Sequence, residues 1–462
     1  MPGTPLKIAF VTLGCKLNYA ETSTYERGFV AAGLEPVSWR GGADVFLVNT
    51  CTVTETANRK CRSEIRKLHR LNPAAPIFVT GCYAELKADE VAAIEGVARV
   101  FRASEKAAVV PETLATLGVC SSPEGSSPAA DKIFWERSAS GDSHSGSGID
   151  GTSPAERLLS LSKDRSDIFG AYSSGERTRS FLKVQDGCDN FCRYCTVPYA
   201  RGRSRNIPIC EAVRMAREIA ASGIREVVLT GVNTGDFGRT TGESFLDLLK
   251  ALNEVEGIDR YRISSIEPNL LTPKIIDWIA SGTKFQPHFH IPLQTGCDEL
   301  LAAMGRHYST AEFAAKIDYV RSVMETPRPG ESAPLPVFFG IDVMVGLPGE
   351  TPELFEKTYR FLEQLRPAFL HVFPYSKRPG TPAAVMPGQV LPEVKTERAA
   401  LLEELCEKLH SEFVERCKGM KATVLWESRE KDGSMGGYTG NYIRITRPYD
   451  AARVNTLEEI TI

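Results

Sequence analysis

Apolar, strand-like runs alternate with helix-like segments along most of the chain, and this alternation limits the possible folds more than any other feature. Three apolar runs, at residues 7–14, 44–50 and 76–81, are separated by segments whose apolar side chains recur at helical spacing. Strand–helix alternation with short connections is typical of a parallel sheet covered by helices. We therefore predict an α/β fold that begins with a parallel α/β domain at residues 5–118.

A second series of alternating segments follows from about residue 180. Its six strand candidates are residues 180–185, 226–231, 261–267, 288–294, 338–346 and 369–376. Six strands with crossover helices are compatible with a partial (β/α) barrel or with an open doubly wound sheet, and the pattern alone does not choose between them. We assign this central domain to residues 177–412.

The end of the chain has a different pattern. A helix-rich segment at 394–417 is followed by two short strand-like runs, at 421–428 and 438–446, which a glycine-rich turn at 431–437 joins. This end is too short for a large domain, so we predict a small C-terminal β-barrel at residues 413–462.

Residues 119–176 interrupt the alternation. They are rich in serine and glycine, a composition typical of flexible linkers and surface insertions. We predict a linker or insertion here, with one short helical turn at 155–162.

Composition excludes several classes of protein. The chain has 462 residues and a net charge of −3, so it is not a basic nucleic-acid binder as a whole. No apolar run is long enough for a membrane span, and no secretory signal is visible, so we expect a cytoplasmic protein without a membrane partner. Lys and Arg are concentrated at 59–70 and 174–206, where they form either a surface for phosphate groups or ordinary solvated faces.

Only three of the twelve cysteines form a tight group: Cys188, Cys192 and Cys195. Three soft thiolates on one loop can hold three corners of an iron–sulfur cubane, which leaves the fourth iron open to a ligand. A structural zinc site requires four ligands, and no further Cys or His lies within ten residues of this loop. The spacing therefore favours an iron–sulfur cluster over zinc.

Three other cysteines each follow a predicted strand of the N-terminal domain: Cys15, Cys51 and Cys82. The carboxyl ends of parallel strands share one edge, so these thiols can meet there. Placement alone leaves open whether they bind metal or are inert buried thiols, which is the commoner case. Among the rest, we expect Cys61, Cys120, Cys210, Cys406 and Cys417 to be non-ligands, and Cys297 lies close to the predicted site.

The sequence around these cysteines resembles a known family. CDNFCRYC resembles the CxxxCxxC loop of radical S-adenosylmethionine enzymes, with Tyr194 as the aromatic residue before the last cysteine. TLGCKLN, NTCTVTETA and TGCYAE resemble the three cysteine segments of the methylthiotransferase N-terminal domain. The resemblance implies a radical S-adenosylmethionine barrel and a TRAM-like C-terminal barrel. It also implies S-adenosyl-L-methionine and two 4Fe-4S clusters, one on each set of three cysteines, and conversion of a C–H bond to C–SCH3.

The resemblance also implies a substrate. Lys16 and Leu17, after the first cysteine, are most similar to the branch that modifies N6-threonylcarbamoyladenosine beside the tRNA anticodon. We therefore expect the tRNA anticodon arm and an external electron donor as partners, and a monomeric enzyme. Methylthiolation of isopentenyladenosine or of a ribosomal protein is the nearest alternative. A zinc-stabilised RNA-binding protein and a pure electron carrier are alternatives from other classes.

Further candidates lie where predicted strands end. By resemblance, the residues expected to contact S-adenosylmethionine are Tyr194, Asn233, Glu267, Gln294 and Gly346. Each polar one is equally compatible with an ordinary strand-end role. We expect His288 and His290, which alternate on one strand, to pack in the core or support a site rather than bind a ligand. Tyr438 and Tyr442 in the tail suit stacking on bases or ordinary barrel packing.

Overall fold

The computed structural model describes residues 4–119, 168–174, 178–327 and 333–462. These residues form two compact units. The first contains the residues before Ser174 together with Cys195–Arg203 and Arg378–Gly380, and the second contains the remainder. The helical turn predicted at 155–162 lies outside the described residues, and the predicted domain bounds stay predictions.

The first unit is built on a five-stranded parallel sheet in the order β2-β1-β3-β4-β5. Its strands are β1 Lys7–Thr12, β2 Glu35–Pro36, β3 Val45–Thr50, β4 Ile77–Gly81 and β5 Val97–Val100, and a short strand β6 is formed by Ala171–Tyr172. Its helices are α1 Lys16–Ala31, α2 Glu55–Leu71, α3 Cys82–Leu86, α4 Ala88–Ala92, α5 Val109–Thr116 and α6 Val197–Arg201. Every residue of β3 and β4 is buried, as expected for the centre of a parallel sheet.

Helix α2 shows how the sequence selects this packing. Its apolar side chains Cys61, Ile65 and Leu68 are spaced for one helical face, and they pack into the same core as the strands. The Thr54 side chain caps the helix by accepting a hydrogen bond from Ala57 N at 3.1 Å. The opposite face carries the basic residues of segment 59–70.

The second unit contains the six strands predicted for the central domain. They are β7 Arg179–Lys183, β10 Glu226–Thr230, β11 Arg260–Ile263, β12 His288–Gln294, β13 Phe338–Val345 and β14 Phe369–Pro374, and a two-stranded ribbon is added by β8 Gln185–Asp186 and β9 Arg205–Asn206. The neighbours pair in parallel, and a parallel bridge between Tyr261 and Phe285 links the β7-β10-β11 sheet to the β12-β13-β14 sheet. The six strands lie side by side in the order in which they occur along the chain, without the reversal of strand order that a doubly wound sheet has. The arrangement is therefore a partial (β/α) barrel, or half-barrel.

Helices alternate with these strands as predicted. They are α7 Ile209–Ala221, α8 Phe245–Asn253, α9 Pro273–Ala280, α10 Asp298–Ala303, α11 Thr310–Met324, α12 Pro352–Leu365 and α13 Pro392–Cys417. Within the described residues, none of the helices is both long and apolar enough to cross a membrane.

The C-terminal sheet is antiparallel, in the order β17-β16-β15-β18. Its strands are β15 Lys421–Arg429, β16 Ser434–Thr439, β17 Arg444–Pro448 and β18 Leu457–Thr461. The sequence placed Ser434 to Gly437 in a turn, but these residues begin β16. A Cβ atom at Gly437 would lie 2.5 Å from Val424 Cγ1, so glycine here permits close strand packing rather than a turn. Strand β18 was not predicted.

Several basic residues of segment 174–206 are buried, and this differs from both readings of the sequence. Lys183 is fully buried and its Nζ lies 2.7 Å from Asp186 Oδ2, while Arg205 lies 3.7 Å from the same carboxylate. Arg201 is also buried. These cations are therefore structural ion-pair partners, and the phosphate-binding surface cannot include them.

A buried carboxylate joins the C-terminal sheet to the half-barrel within the second unit. Arg262 donates to both oxygens of Glu226, at 2.8 and 3.2 Å, and also to the carbonyl oxygens of Gly440 and Thr439, at 2.7 and 2.8 Å. Burial alone would raise the pKa of Glu226, but the surrounding guanidinium groups, led by that of Arg262, hold it below its ordinary value.

Replacing Arg262 by methionine should destabilise the second unit, because it leaves a buried carboxylate short of its main partner. We expect Arg262→Met to lower the free energy of unfolding by about 3 kcal/mol or more in urea denaturation at pH 7. Arg225→Met, which breaks the exposed 2.6 Å pair with Asp259, should cost less than about 1 kcal/mol. Equal losses for the two variants would contradict this account of the junction.

Candidate metal centres

The first unit brings the ends of three neighbouring strands to one edge. Cys51 directly follows β3, Cys82 directly follows β4, and Cys15 precedes α1 three residues after β1. The strands pair in parallel with Thr12 opposite Asn49 and with Thr50 opposite Gly81. The three cysteines predicted from strand-end placement therefore lie at the same edge of one sheet.

The three thiols influence one another electrostatically. Burial raises the pKa of the Cys82 thiol to about 11; Arg201 lowers it, and Cys51 and Cys15 raise it. Burial likewise raises the pKa of Cys51, and Cys15 adds to that effect. The thiols therefore lie near enough for each to influence the charge of its neighbours.

Glycine precedes two of these cysteines for a steric reason. Gly14 has a φ of +118° and Gly81 a φ of +100°. A Cβ atom at Gly14 would lie 2.9 Å from the Cβ of Cys51, and one at Gly81 would lie 2.4 Å from the carbonyl oxygen of Thr50. Only glycine allows this approach, so the Gly-Cys pairs in the sequence serve to bring the strand ends together.

A buried polar network that was not predicted from the sequence supports this edge. The Asn18 side chain donates to the Thr50 carbonyl at 3.0 Å and accepts from Arg201 at 2.6 Å. Arg201 and Lys106 both reach the Glu21 carboxylate, at 3.2 and 2.7 Å. Asn18 and Glu21 are one helical turn apart on α1, a spacing that could have indicated a shared face. Arg201 was counted only as part of a basic segment.

The CxxxCxxC loop places backbone donors on two of its sulfur atoms. Asn190 N lies 3.5 Å from Cys188 Sγ, and Val197 N lies 3.4 Å from Cys195 Sγ. Hydrogen bonds to cysteine sulfur stabilise the thiolate form and tune the potential of an iron–sulfur cluster. The loop is thus compatible with thiolate ligands.

Arg306 is a second site group that was not predicted from the sequence. Its guanidinium donates to Cys192 Sγ at 3.2 Å and to Glu267 Oε2 at 2.5 Å, and its side chain is 3% exposed. Burial raises the pKa of Glu267, and Arg306 acts to lower it. No spacing or motif in the sequence marks Arg306, because it lies 114 residues from Cys192 along the chain.

Three of the predicted cofactor-contact residues lie where barrel strands end. Glu267 follows β11, and its backbone N–H donates to Asn233 Oδ1 at 3.2 Å, so these two predicted residues are in contact. Gln294 ends β12 with a φ of +74°, next to a register shift in the strand pairing. Such a conformation is strained for a residue with a side chain, and strained residues are common at ligand sites.

Tyr194 and Gly346 are held by other contacts. Tyr194 packs against a cluster that includes Met304 and Leu347. Gly346 has a φ of +74° and donates its N–H to Glu350 Oε1 at 2.8 Å. The contacts within the second unit thus join Asn233 and Glu267 directly but do not join Gly346 to them.

Four of the remaining cysteines have protein partners. Cys61, Cys297, Cys406 and Cys417 are buried and hydrogen-bonded to neighbouring groups of the chain. Burial raises the pKa of each of these thiols. All four thiols thus have hydrogen-bond partners within the chain, and the assignment of Cys61, Cys406 and Cys417 as non-ligands stays a prediction.

Two family models match the chain. Residues 7–102 match the family described as Uncharacterized protein family UPF0004, and residues 182–362 match the Radical SAM superfamily. These two ranges contain both predicted sets of three cysteines, Cys15, Cys51 and Cys82 in the first and Cys188, Cys192 and Cys195 in the second.

Named relatives match nearly the whole chain. It is 35% identical to "Threonylcarbamoyladenosine tRNA methylthiotransferase MtaB" of Bacillus subtilis, over 95% of this chain and 89% of the relative. It is 31% identical to "tRNA-2-methylthio-N(6)-dimethylallyladenosine synthase" of Wolbachia pipientis, over 91% of this chain and 87% of the relative. Among solved structures, it is similar in fold to the radical S-adenosylmethionine methyltransferase TsrM of Kitasatospora setae. That match has a TM-score of 0.54 and 14% identity, and it covers 94% of this chain and 77% of that one.

The thiol at position 82 should react slowly with alkylating agents when the cysteines carry no metal. With a pKa of about 11, about one Cys82 thiol in a thousand is ionised at pH 8. We expect alkylation of Cys82, followed by mass spectrometry, to accelerate about tenfold per pH unit between pH 8 and 10. Arg201→Gln should slow it further, because Arg201 lowers the pKa of Cys82.

Arg203→Gln is the matched control, since Arg203 is exposed in the same segment. A Cys82 rate unaffected by Arg201→Gln, or equally affected by both variants, would show that Arg201 does not act on this thiol.

Proposed function

We propose, because this chain belongs to the radical S-adenosylmethionine methylthiotransferase family, that it converts N6-threonylcarbamoyladenosine beside the tRNA anticodon to its 2-methylthio derivative. The observation that carries the proposal is the near full-length identity with a relative named for that reaction. The radical S-adenosylmethionine match and the two sets of three cysteines support the chemistry. We further propose that it acts in the cytoplasm, as a monomer that receives electrons from an external donor.

In this proposal the two cysteine sets have different roles. Cys188, Cys192 and Cys195 hold one 4Fe-4S cluster, and Cys15, Cys51 and Cys82 hold the other. When bound, the clusters and S-adenosylmethionine supply the radical, the sulfur and the methyl group. Three ligands at each site, rather than four, fit a cluster that must keep one iron open.

The chain's own charges fit these two groups. Arg201 lies close enough to Cys51 and Cys82 to lower the pKa of both thiols, and therefore favours their thiolate forms. Arg306 donates directly to Cys192 Sγ. Each cysteine set thus has at least one buried guanidinium that offsets the negative charge of thiolate ligands.

We further propose that S-adenosylmethionine contacts the carboxyl ends of the barrel strands. The assigned residues are Tyr194, Asn233, Glu267, Gln294 and Gly346. Asn233 and Glu267 are already in contact with each other, and Gln294 adopts the strained backbone expected of a residue fixed for binding. For Gly346 the support is its place after β13, since the space beside it is filled by the Lys395 side chain, with which a Cβ atom would collide.

We assign the anticodon arm to the basic face of α2 in the first unit. Arg59, Arg62, Arg66 and Arg70 line one shallow pocket on this helix. Arg62 forms ion pairs with Glu55 and Glu90. The guanidinium groups of Arg59, Arg66 and Arg70 also line the pocket. Clustered arginines of this kind bind phosphate oxygens in nucleic-acid backbones.

The substrate can be tested in a bacterial strain from which the genes of both tRNA methylthiotransferases have been deleted, so that neither 2-methylthio-N6-threonylcarbamoyladenosine nor 2-methylthio-isopentenyladenosine is made. We expect this chain to restore the first nucleoside, and not the second, in mass spectra of digested tRNA. A matched Cys192→Ala variant should restore neither. Restoration of the isopentenyladenosine product instead would favour the activity named for the Wolbachia pipientis relative.

The roles of the two cysteine sets can be distinguished in vitro. Because Cys192 belongs to the radical-generating set, we expect Cys192→Ala to abolish reductive cleavage of S-adenosylmethionine. Cys82→Ala should keep cleavage within a few-fold of the unaltered enzyme but abolish methylthiolated product, as measured by anaerobic assays of 5′-deoxyadenosine and of tRNA nucleosides. If both variants lost cleavage of S-adenosylmethionine while the cluster on the unaltered cysteine set kept its normal iron content, the two sets would not have separate roles.

A further inference from the structure

Three polar side chains meet on neighbouring strands of the second unit, away from all six assigned cysteines in the sequence. His290 lies on β12, Asp342 on β13 and His371 on β14. Their potential ligand atoms all lie within 4.8 Å of one another. His290 Nε2 lies 2.5 Å from Asp342 Oδ1, and the His290 and His371 rings are 4.8 Å apart between centroids.

Strand register explains why they meet. Asp342 is paired directly with His371 on one side and with Pro292 on the other, two residues from His290 on the same strand. The residue opposite His290 is Gly340. A Cβ atom at Gly340 would lie 3.4 Å from His371 Nε2, so this nitrogen reaches across β13 to the position opposite His290.

The group lies on the inner face of the half-barrel, which is the face opposite the helices. Phe289, which points the other way along β12, stacks on Phe339, and Arg321 of helix α11 covers that ring. The side chains of His290 and Asp342 remain 24% and 17% exposed. A small ion from solvent can therefore reach the group.

The donor set identifies the class of ligand. Two imidazoles and one carboxylate suit divalent first-row transition metals, including zinc, and do not select iron–sulfur clusters. Ligand atoms about 2.1 Å from one ion lie at most about 4.2 Å apart, so only a small closure of these three side chains is needed. Three protein ligands leave further positions open, as in catalytic rather than structural sites.

We propose that His290, Asp342 and His371 bind one divalent transition-metal ion on the inner face of the half-barrel, with open positions for an oxygen donor. This proposal does not depend on which nucleoside the enzyme modifies. It assigns His290 a ligand role, whereas the sequence analysis expected core packing or support. His288, two residues earlier, does follow that expectation, since its ring packs between Phe338 and Tyr442.

Zinc uptake by the cluster-loaded full-length enzyme tests the proposal. The enzyme is prepared anaerobically, its iron and sulfide are quantified, and it is stripped with EDTA and dialysed against zinc at a fixed micromolar free concentration. We expect about one zinc per chain in addition to full clusters, and at least a tenfold weaker zinc affinity for Asp342→Asn and for His371→Ala. His69→Ala, which alters a histidine of the first unit paired with Glu95, should keep the zinc.

A second measurement separates binding from folding. Zinc should raise the melting temperature of the unaltered enzyme and of His69→Ala, but not that of the Asp342→Asn variant, which preserves side-chain shape. Iron content and melting temperature without zinc establish that each variant is folded. No zinc in the cluster-loaded enzyme, or equal uptake and equal stabilisation in all variants, would overturn the proposal and leave His290 and Asp342 as a simple hydrogen-bonded pair.

Discussion

Parallel pairing of neighbouring strands is the constraint on which the candidate sites of both units depend. Backbone hydrogen bonds align β1, β3 and β4, so residues that follow these strands reach one edge regardless of how far apart they lie in the chain. Cys15, Cys51 and Cys82 are separated by 36 and 31 residues, yet their thiols perturb one another. In the second unit the same geometry brings together Asn233 after β10 and Glu267 after β11.

Buried ion pairs then fix the geometry that strand pairing permits. A buried carboxylate is costly unless a cation and further hydrogen bonds satisfy it, so each such group tolerates only a narrow set of arrangements. Glu21 is matched by Lys106 and Arg201, and Glu226 by Arg262. Arg201 acts on the thiols of the first unit while it also holds Glu21. In the second unit, Arg306 similarly donates to both the Glu267 carboxylate and Cys192 Sγ. Arg201 and Arg306 therefore each bind a buried carboxylate and also act on a predicted cluster ligand.

The inner face of the half-barrel carries polar groups at successive levels along its strands. Glu226 lies at the start of β10, and Arg262, which binds it, donates to carbonyl groups of Thr439 and Gly440 at the C-terminal sheet. His290 and its two partners lie in mid-strand, and Glu267 and Gln294 lie at the strand ends. Tyr442 packs on His288 at the level of the strand starts, which favours barrel packing over base stacking for this residue.

The sequence by itself determined the alternation of strands and helices before the C-terminal sheet, including the six strands of the half-barrel, and the tight grouping of Cys188, Cys192 and Cys195. Such features repeat with a local period or a fixed short spacing, so they are readable without knowledge of distant contacts. The tertiary structure decided that Lys183 and Arg201 are buried, that Arg306 reaches Cys192, and that Asp342 lies beside His290. These partners are separated by 52 to 183 residues, except for the local Lys183 pair. Their contacts depend on strand register and on the cost of burying charge, and neither leaves a local pattern in the sequence.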